Sequence, residues 1–562
     1  MVTKVFKVVY KEIRGLHEAA YILAAFTLAS QFLALFRDRL LAHQFGAGTE
    51  LDLYYTAFRI PDLLFVVFAS VLSVYVLIPF VTEARGEGGE AAAESLLSQV
   101  FTIFLFGYSL FALIIALFAY QLVALLFPGF TQSEYPQLVL LLRILLLQPF
   151  FLSISNLFGV VTQLSNRFVL YALSPILYNI GIIIGILLLY PRYGLAGLGL
   201  GVVLGAVLHL AVQLPLMRHI EMAPRVRLKI NTRQIYRILK ISVPRALTLS
   251  LHQIVLLAFV GIASAMAVGS VSIFQFALNL QSVPLAIIGV SYSVAAFPTL
   301  VRMFTSGDRE QFVAHVGASL RHIFFWSIPL IALVIVTRAQ IVRVILGSGA
   351  FNWNDTKLTA AALALFVLSL AAQSVNLLIV RAFYAGGDTR TPFFVTVFTS
   401  SGALLLGILL YSLYLTNAAF AAFIGQILRV ESVPGGEILM LPLGYSIAVT
   451  AHAVILLTIF MKRFKLPFSA FGGVFLRGFA AALTGGVSAY AILNTVVFGI
   501  NDQSFIGILL QGVIAGGFGM GMVIATLWIL GSVELAEVSR AIHRRMIVRT
   551  IIPPQPSDDV AA

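Results

Sequence analysis

Fourteen stretches of about twenty mainly apolar residues follow one another along this chain, each long enough to cross the ~30 Å hydrocarbon core of a bilayer as a helix. They cover residues 19–36, 53–80, 97–125, 137–161, 168–190, 194–216, 237–262, 270–300, 314–337, 357–384, 391–414, 440–461, 470–497 and 503–531. Inside lipid each spanning segment has to satisfy its own backbone amides, so the expected fold class is an all-α integral membrane protein. Composition agrees: 60% of the 562 residues are hydrophobic and only 10% charged, more apolar surface than one water-soluble globule of this length can bury. The formal charge of +13 would suit nucleic acid only if the basic residues gathered on a soluble face or arm. They lie between apolar runs instead, so membrane lipids are the expected partner and nucleic acid is not.

Several kinds of chemistry drop out at once. The chain has no cysteine, which excludes a disulfide framework, a thiolate metal site and a cysteine nucleophile. No lysine follows a glycine, so there is no Gly-Lys-Ser/Thr phosphate loop, and "HEAAY" at His17 lacks the second histidine of a zinc hydrolase. The expectation is a non-enzyme without cofactor or metal, in which transport draws on the membrane potential, an ion gradient or the substrate's own gradient.

Lys and Arg counts set the orientation, because cytoplasmic loops retain positive charge. With both termini inside, 24 of the 36 fall on the cytoplasmic side and 7 outside; Arg59, Arg143, Arg245, Arg321 and Arg477 lie within spans. Residues 1–18, "MVTKVFKVVYKEIRGLHE", carry Val2, Val5, Phe6, Val9 and Ile13 at helical spacing among basic residues. The apolar run behind them is too long for a signal peptide and has no small-residue cleavage site. They predict a cytoplasmic interfacial helix.

Asn156 and Asn376, Pro61 and Pro284, and Pro79 and Pro298 are separated by similar distances along the chain, as duplication of a six-span unit would leave them. The expected domains are an N-lobe at 19–216, a basic cytoplasmic linker at 217–240, a C-lobe at 241–461, spans 13 and 14 within 462–531, and a cytoplasmic tail at 532–562. An even number of spans per unit keeps both halves in the same orientation, facing one another across a cavity.

One stretch concentrates the charge: "FRDRLLAHQFGAGTELDLYYTAFRIPDLL", Phe36 to Leu64. Arg37 and Arg39 stand near a helix end, where long side chains reach headgroups. Arg59 and Asp62 share a helix face at i and i+3, with Asp52 two turns earlier on nearly the same one, and Pro61 between them favours a kink. A charge at the bilayer centre costs about 2.5–3.5 kcal/mol, and a watery cavity lowers that figure. Two readings stand: cavity lining, or a structural ion pair and snorkelling. Gln275, Asn279 and Ser282 form a polar stripe at i, i+4 and i+7 that serves either a cavity or interhelical hydrogen bonds. Arg143 and Arg245, about two turns inside their spans, are further candidates for the cavity; Arg321 and Arg477, near cytoplasmic ends, read as snorkelling.

At these residues the chain resembles the MurJ/MviN-type lipid II flippases of the multidrug/oligosaccharidyl-lipid/polysaccharide exporter superfamily. The stretch quoted above is similar to the family's segment through spans 1 and 2, and "NRFVLYALSPILYNIGII" and "RAFYAGGDTRTP" resemble two further segments. The resemblance implies fourteen spans, two six-helix lobes in a V-shaped arrangement, and two C-terminal helices that form a groove for a lipid tail. It implies export of lipid II, the undecaprenyl-diphosphate-linked peptidoglycan precursor, from the inner to the outer leaflet of the bacterial plasma membrane, with cell-wall synthesis machinery as a partner. Arg37 and Asp38 fall on the family's Arg-Asp pair, Asp52 on its acidic position after the Gly-rich turn, and Arg59 on its basic position before Leu-Pro. Where the family usually has further basic residues, this chain has Gln31, Phe65, Val66 and Asn279. Three alternatives stay open: a flippase for another polyprenyl-linked glycan, a drug/cation antiporter, and a transport-inactive membrane scaffold.

Overall fold

All the regular structure is helical among the residues that the computed structural model describes, which are 16–165, 167–217, 223–496, 499–500 and 504–540. Residues 1–15 of the expected interfacial helix, 218–222 of the linker and the tail beyond 540 lie outside the described residues. Each of the fourteen apolar stretches is helical over most of its described residues. By length and apolarity, 11 helices qualify as membrane spans among the described residues, or up to 12 if the pair Trp353–Leu368 and Leu370–Ala385, bent by 43°, counts as one.

The difference from the expected fourteen has particular sources. Thr49–Leu117 counts once although it is 69 residues long. At 1.5 Å per residue it would extend about 100 Å, three times a bilayer core, and it holds predicted spans 2 and 3 with the polar run "TEARGEGGEAAAES" between them. Its continuity breaks at Gly88 and Gly89, where Gly89 takes a φ of 69°, a conformation that glycine adopts without a steric penalty. Leu16–Phe45, which holds predicted span 1, is not among the eleven. A second break falls at Phe58, between the helices Thr49–Ala57 and Arg59–Val71. Pro61 has no N–H to give the Ala57 carbonyl, and the ladder resumes with Asp62 N–H on the Phe58 carbonyl at 2.8 Å.

The helices gather into two compact units. One takes in the described residues up to Val283 together with Val342–Phe366 and Asp388–His452; the other holds Pro284–Ile341, Val367–Gly387 and the described residues from Ala453 onward. In the first unit, the helix Thr232–Ser264 packs against Arg59–Val71 and Arg390–Thr416, so segments from both halves of the sequence share one body. Leu97, Val100, Leu157, Val161 and Ile238 belong to its core.

Two helices of that unit touch backbone to backbone. Phe168–Ile184, with the π turn Gly185–Leu189 that follows it, lies along Leu195–Ala211. A methyl group added at Gly181 would come within 2.3 Å of Gly205, and one at Gly185 within 2.5 Å of Gly201. Small residues at four-residue spacing let helices approach this closely in a membrane, where van der Waals contact rather than water expulsion drives association. In the second unit, Gly472–Asn494 and Phe505–Ile529 lie against each other in a similar way, with Gly485 and Gly519 at the contact.

Substituting Gly201→Val should lower stability by about 3 kcal/mol, the upper range for overpacking a filled contact. Gly402→Ala, which would meet nothing within 4 Å, should leave stability unchanged or raise it slightly. Thermal unfolding of the detergent-solubilised protein measures both; equal melting temperatures for Gly201→Val and the parent would mean that the two helices are not in backbone contact.

Candidate functional site

Several polar side chains of the first compact unit converge on one half-open cavity of about 120 Å³, lined by Arg37, Tyr54, Arg59, Asp62, Tyr178, Gln275 and Asn279 among others. Three stretches supply most of them: the first helix, the broken helix that follows it, and Ser270–Leu285. A charge placed here needs partners, because burying an ion without them costs several kcal/mol.

The partners form a continuous chain. Arg37 donates through Nε and Nη2 to Oδ1 of Asp38, at 3.0 and 2.7 Å, and through Nη1 to Oδ1 of Asn179 at 3.1 Å. The other oxygen of Asp38 accepts from Asn279 Nδ2 at 2.9 Å. Asn279 Oδ1 in turn accepts from Gln275 Nε2 at 2.6 Å, and Gln275 Oε1 accepts from Arg59 Nη2. The two guanidinium groups that line the cavity are therefore the ends of one relay: Arg37, Asp38, Asn279, Gln275, Arg59. Every link but the first is an amide–charge or amide–amide bond, which orients a guanidinium without neutralising it.

Donors are left over at the far end. Arg59 is 5% exposed, and its Nε has no hydrogen-bond partner, nor has the hydroxyl of the neighbouring Tyr55. Asp62 lines the same space one turn further on. Unpaired buried donors beside a cavity are uncommon in native proteins and suit a site that meets an anion from outside.

Asp52 does something else. It is buried, and its carboxylate accepts from Gly269 N–H at 2.7 Å, Ser272 N–H at 2.8 Å and Ser272 Oγ at 2.5 Å. It thus holds the N-terminus of the Ser270–Leu285 helix, where unpaired N–H groups and the helix dipole favour negative charge. Gly269 takes a φ of +90° beneath the Ala47 carbonyl, and Ala47 N–H reaches Asp355 Oδ2 at 3.3 Å. The turn between the first two helices is thereby tied to two other segments of the same unit. Arg39 contributes as well, donating to the Val344 carbonyl at 2.6 Å near the end of the helix Arg309–Ile345.

The sequence-nominated residues thus sort by position. Arg37, Arg59, Asp62, Gln275 and Asn279 line the cavity and Asp38 bridges two of them, whereas Asp52, Arg143 and Ser282 are not among the lining residues. Arg143 is exposed and donates to the Ala116 carbonyl at 3.0 Å, and exposed Ser282 bonds the Asn279 carbonyl at 2.6 Å. Arg245 lies on the helix Thr232–Ser264, and its side chain is outside the described residues. Of Arg321 and Arg477, read as snorkelling, the first approaches Glu534 at 3.5 Å and the second donates to the Gly531 carbonyl at 3.0 Å. Sequence reasoning overlooked Tyr54, Tyr55, Tyr178 and Asn179. A signal for the last pair exists, since "YN" interrupts an otherwise apolar run, but it does not tell which face the pair occupies.

The apolar helices define a multi-pass helical membrane protein. The chain superposes on the inward-facing conformation of a multidrug resistance MATE family transporter of the MOP superfamily with a TM-score of 0.63, at 13% identity, covering 79% of this chain and 98% of that one. It superposes on lipid II flippase MurJ in an inward closed conformation with a TM-score of 0.70, at 23% identity, covering 90% and 99%. A sequence profile of the family described as lipid II flippase MurJ matches residues 41–507, and the chain belongs to that family. Relatives include the lipid II flippase MurJ of Burkholderia cenocepacia, 26% identical over 73% of this chain and 80% of its own length. The probable lipid II flippase MurJ of Vibrio cholerae is 24% identical over 88% and 96%.

Breaking the relay at its centre should be felt. Asn279→Leu removes the partner of one Asp38 oxygen and of Gln275, and should cost about 1–3 kcal/mol, the usual figure for stranding buried polar groups. Asp52→Ala, which strips three bonds from a helix N-terminus, should cost about 2 kcal/mol. Thermal unfolding checks both; a stability change near zero in either would mean that the bonds assigned to it do not hold the fold.

Proposed function

We propose that this chain moves lipid II, the undecaprenyl-diphosphate-linked peptidoglycan precursor, from the inner to the outer leaflet of the bacterial plasma membrane for cell-wall synthesis. In this reading both termini are cytoplasmic, the protein is a carrier rather than an enzyme, and cell-wall synthesis machinery acts on what it delivers. Membership of the MurJ family supports the substrate. The observation that carries the mechanism is the pair of guanidinium groups, Arg37 and Arg59, opening onto one half-open cavity.

A diphosphate presents several non-bridging oxygens on tetrahedral phosphorus, and a planar guanidinium binds two of them at once, as an ammonium cannot. The spare Nε of Arg59 and the Tyr55 hydroxyl are donors available to it, while Gln275 and Asn179 keep the two arginines aimed. The formal charges of Arg37 and Arg59 are balanced within the site by those of Asp38 and Asp62, so a loaded carrier bears the charge of its cargo. An anion leaving a negative-inside cell then gains about 2.3 kcal/mol per charge per 100 mV. The membrane potential is the proposed energy source, and an ion gradient is the other means of driving the cycle.

A second reading, a flippase for another polyprenyl-linked glycan, is favoured by Gln31, Phe65, Val66 and Asn279 standing where the family usually has basic residues. Depletion of the protein in its host distinguishes the two. Lipid II that becomes inaccessible at the cell exterior supports the first; accessible lipid II with loss of another surface glycan overturns it.

The arginine makes a narrower test. Arg59→Ala should abolish complementation of the depleted strain while the protein remains inserted and abundant, and Arg59→Lys should restore it in part, since an ammonium keeps the charge and loses the fork. Full complementation by Arg59→Ala would assign the residue to structure alone.

A further inference from the structure

Between the sixth and seventh predicted spans, residues 223–231 run without helix as a strap across the helix Val74–Leu117. The attachment is a ladder of side chains on backbone. Arg225 N–H donates to Ser98 Oγ at 2.8 Å, Arg227 N–H to Thr102 Oγ1 at 2.9 Å and Asn231 N–H to Gln99 Oε1 at 2.6 Å. The Arg227 guanidinium adds Glu94 at 2.6 Å and Ser95 Oγ at 3.1 Å. Hydroxyls at 98 and 102 lie one turn apart on the helix, and an extended chain turns its residues alternately to opposite sides, so the amides at 225 and 227 meet them in register.

What faces away from the helix has no use in the transport reading. Val226, Leu228 and Ile230 are 54%, 81% and 38% exposed, and they alternate with Arg225, Arg227 and Lys229. Arg225, Lys229, Arg233 and Lys240 are all exposed, and none of the ion pairs among the described residues includes any of these four. Gln99 and Thr102 stand in the first turns of predicted span 3, which places the strap at the depth where the hydrocarbon begins. Apolar side chains interleaved with unpaired cations at that depth match the headgroup layer: the aliphatic groups reach acyl carbon while the cations meet phosphate.

We propose that residues 225–231, with Arg233 and Lys240, form a binding surface for acidic phospholipid headgroups of the leaflet against which the strap lies. Charge decides the class of lipid, since clustered Lys and Arg beside a span attract anionic rather than zwitterionic headgroups. The site is separate from the cavity and does not depend on what the cavity carries.

The chain has no cysteine, so Leu228→Cys accepts a single nitroxide label. Reconstituted into phosphatidylcholine vesicles with and without phosphatidylglycerol, the label should gain contact with oxygen and lose contact with a water-soluble nickel chelate when phosphatidylglycerol is present. Replacing Arg225, Lys229, Arg233 and Lys240 by Gln should abolish that difference and reduce the phosphatidylglycerol retained through detergent purification about ten-fold. The single variant Lys229→Gln, which leaves the ladder intact, should give an intermediate loss. A label equally open to water in both vesicles, or phosphatidylglycerol retention unaffected by the four Gln substitutions, would overturn the proposal. So would displacement of the lipid effect by inorganic pyrophosphate, which would assign the surface to a soluble anion.

Discussion

Two guanidinium groups persist inside an apolar helical bundle because each is held by a partner that is itself held. Taking an ion out of water costs several kcal/mol unless hydrogen bonds and opposite charge replace its hydration. Here the replacement is shared along one relay from Arg37 through Asp38, Asn279 and Gln275 to Arg59. No member can be lost without stranding its neighbour. The relay joins residues more than 200 positions apart, and it fixes the first helix against Ser270–Leu285 more specifically than apolar packing could, since leucine contacts tolerate sliding and an amide pair does not.

Asn279 gives that arrangement its character. One oxygen of Asp38 faces Arg37 and the other faces a neutral amide. A guanidinium in place of the amide would leave Asp38 between two cations and add a third to the cavity. The amide keeps the geometry and removes the charge. In the transport reading proposed above, Asn279 positions its neighbours, and meeting an anion is left to Arg37 and to the spare donor of Arg59.

How much of this could be read in the sequence varies with the physics involved. Hydropathy located the helices, because crossing a bilayer is a requirement each segment meets alone. The charged stretch between Phe36 and Leu64 stood out for the same reason. What lay beyond reading was partnership. Asp52 and Arg59 both turn toward Ser270–Leu285, as their spacing suggested, yet Asp52 caps the N-terminus of that helix at Gly269 and Ser272 while Arg59 meets Gln275 beside the cavity. Arg143 sits at a plausible depth, yet its face turns to the Ala116 carbonyl. Periodicity reports which side of a helix a residue occupies, and only the assembled bundle decides what stands opposite.

The glycine-lined contact between Phe168–Ile184 and Leu195–Ala211 has a mechanical consequence. With no side chains interposed between the two backbones at Gly181, Gly185, Gly201 and Gly205, neither rod can roll or slip past its companion without steric collision. The pair behaves as a single stiff beam, and Tyr178 and Asn179 ride on it. Tyr178 lines the cavity and Asn179 holds Arg37 from that same beam. A displacement of either helix is therefore passed to both, and through the Asn179 amide to the guanidinium of Arg37.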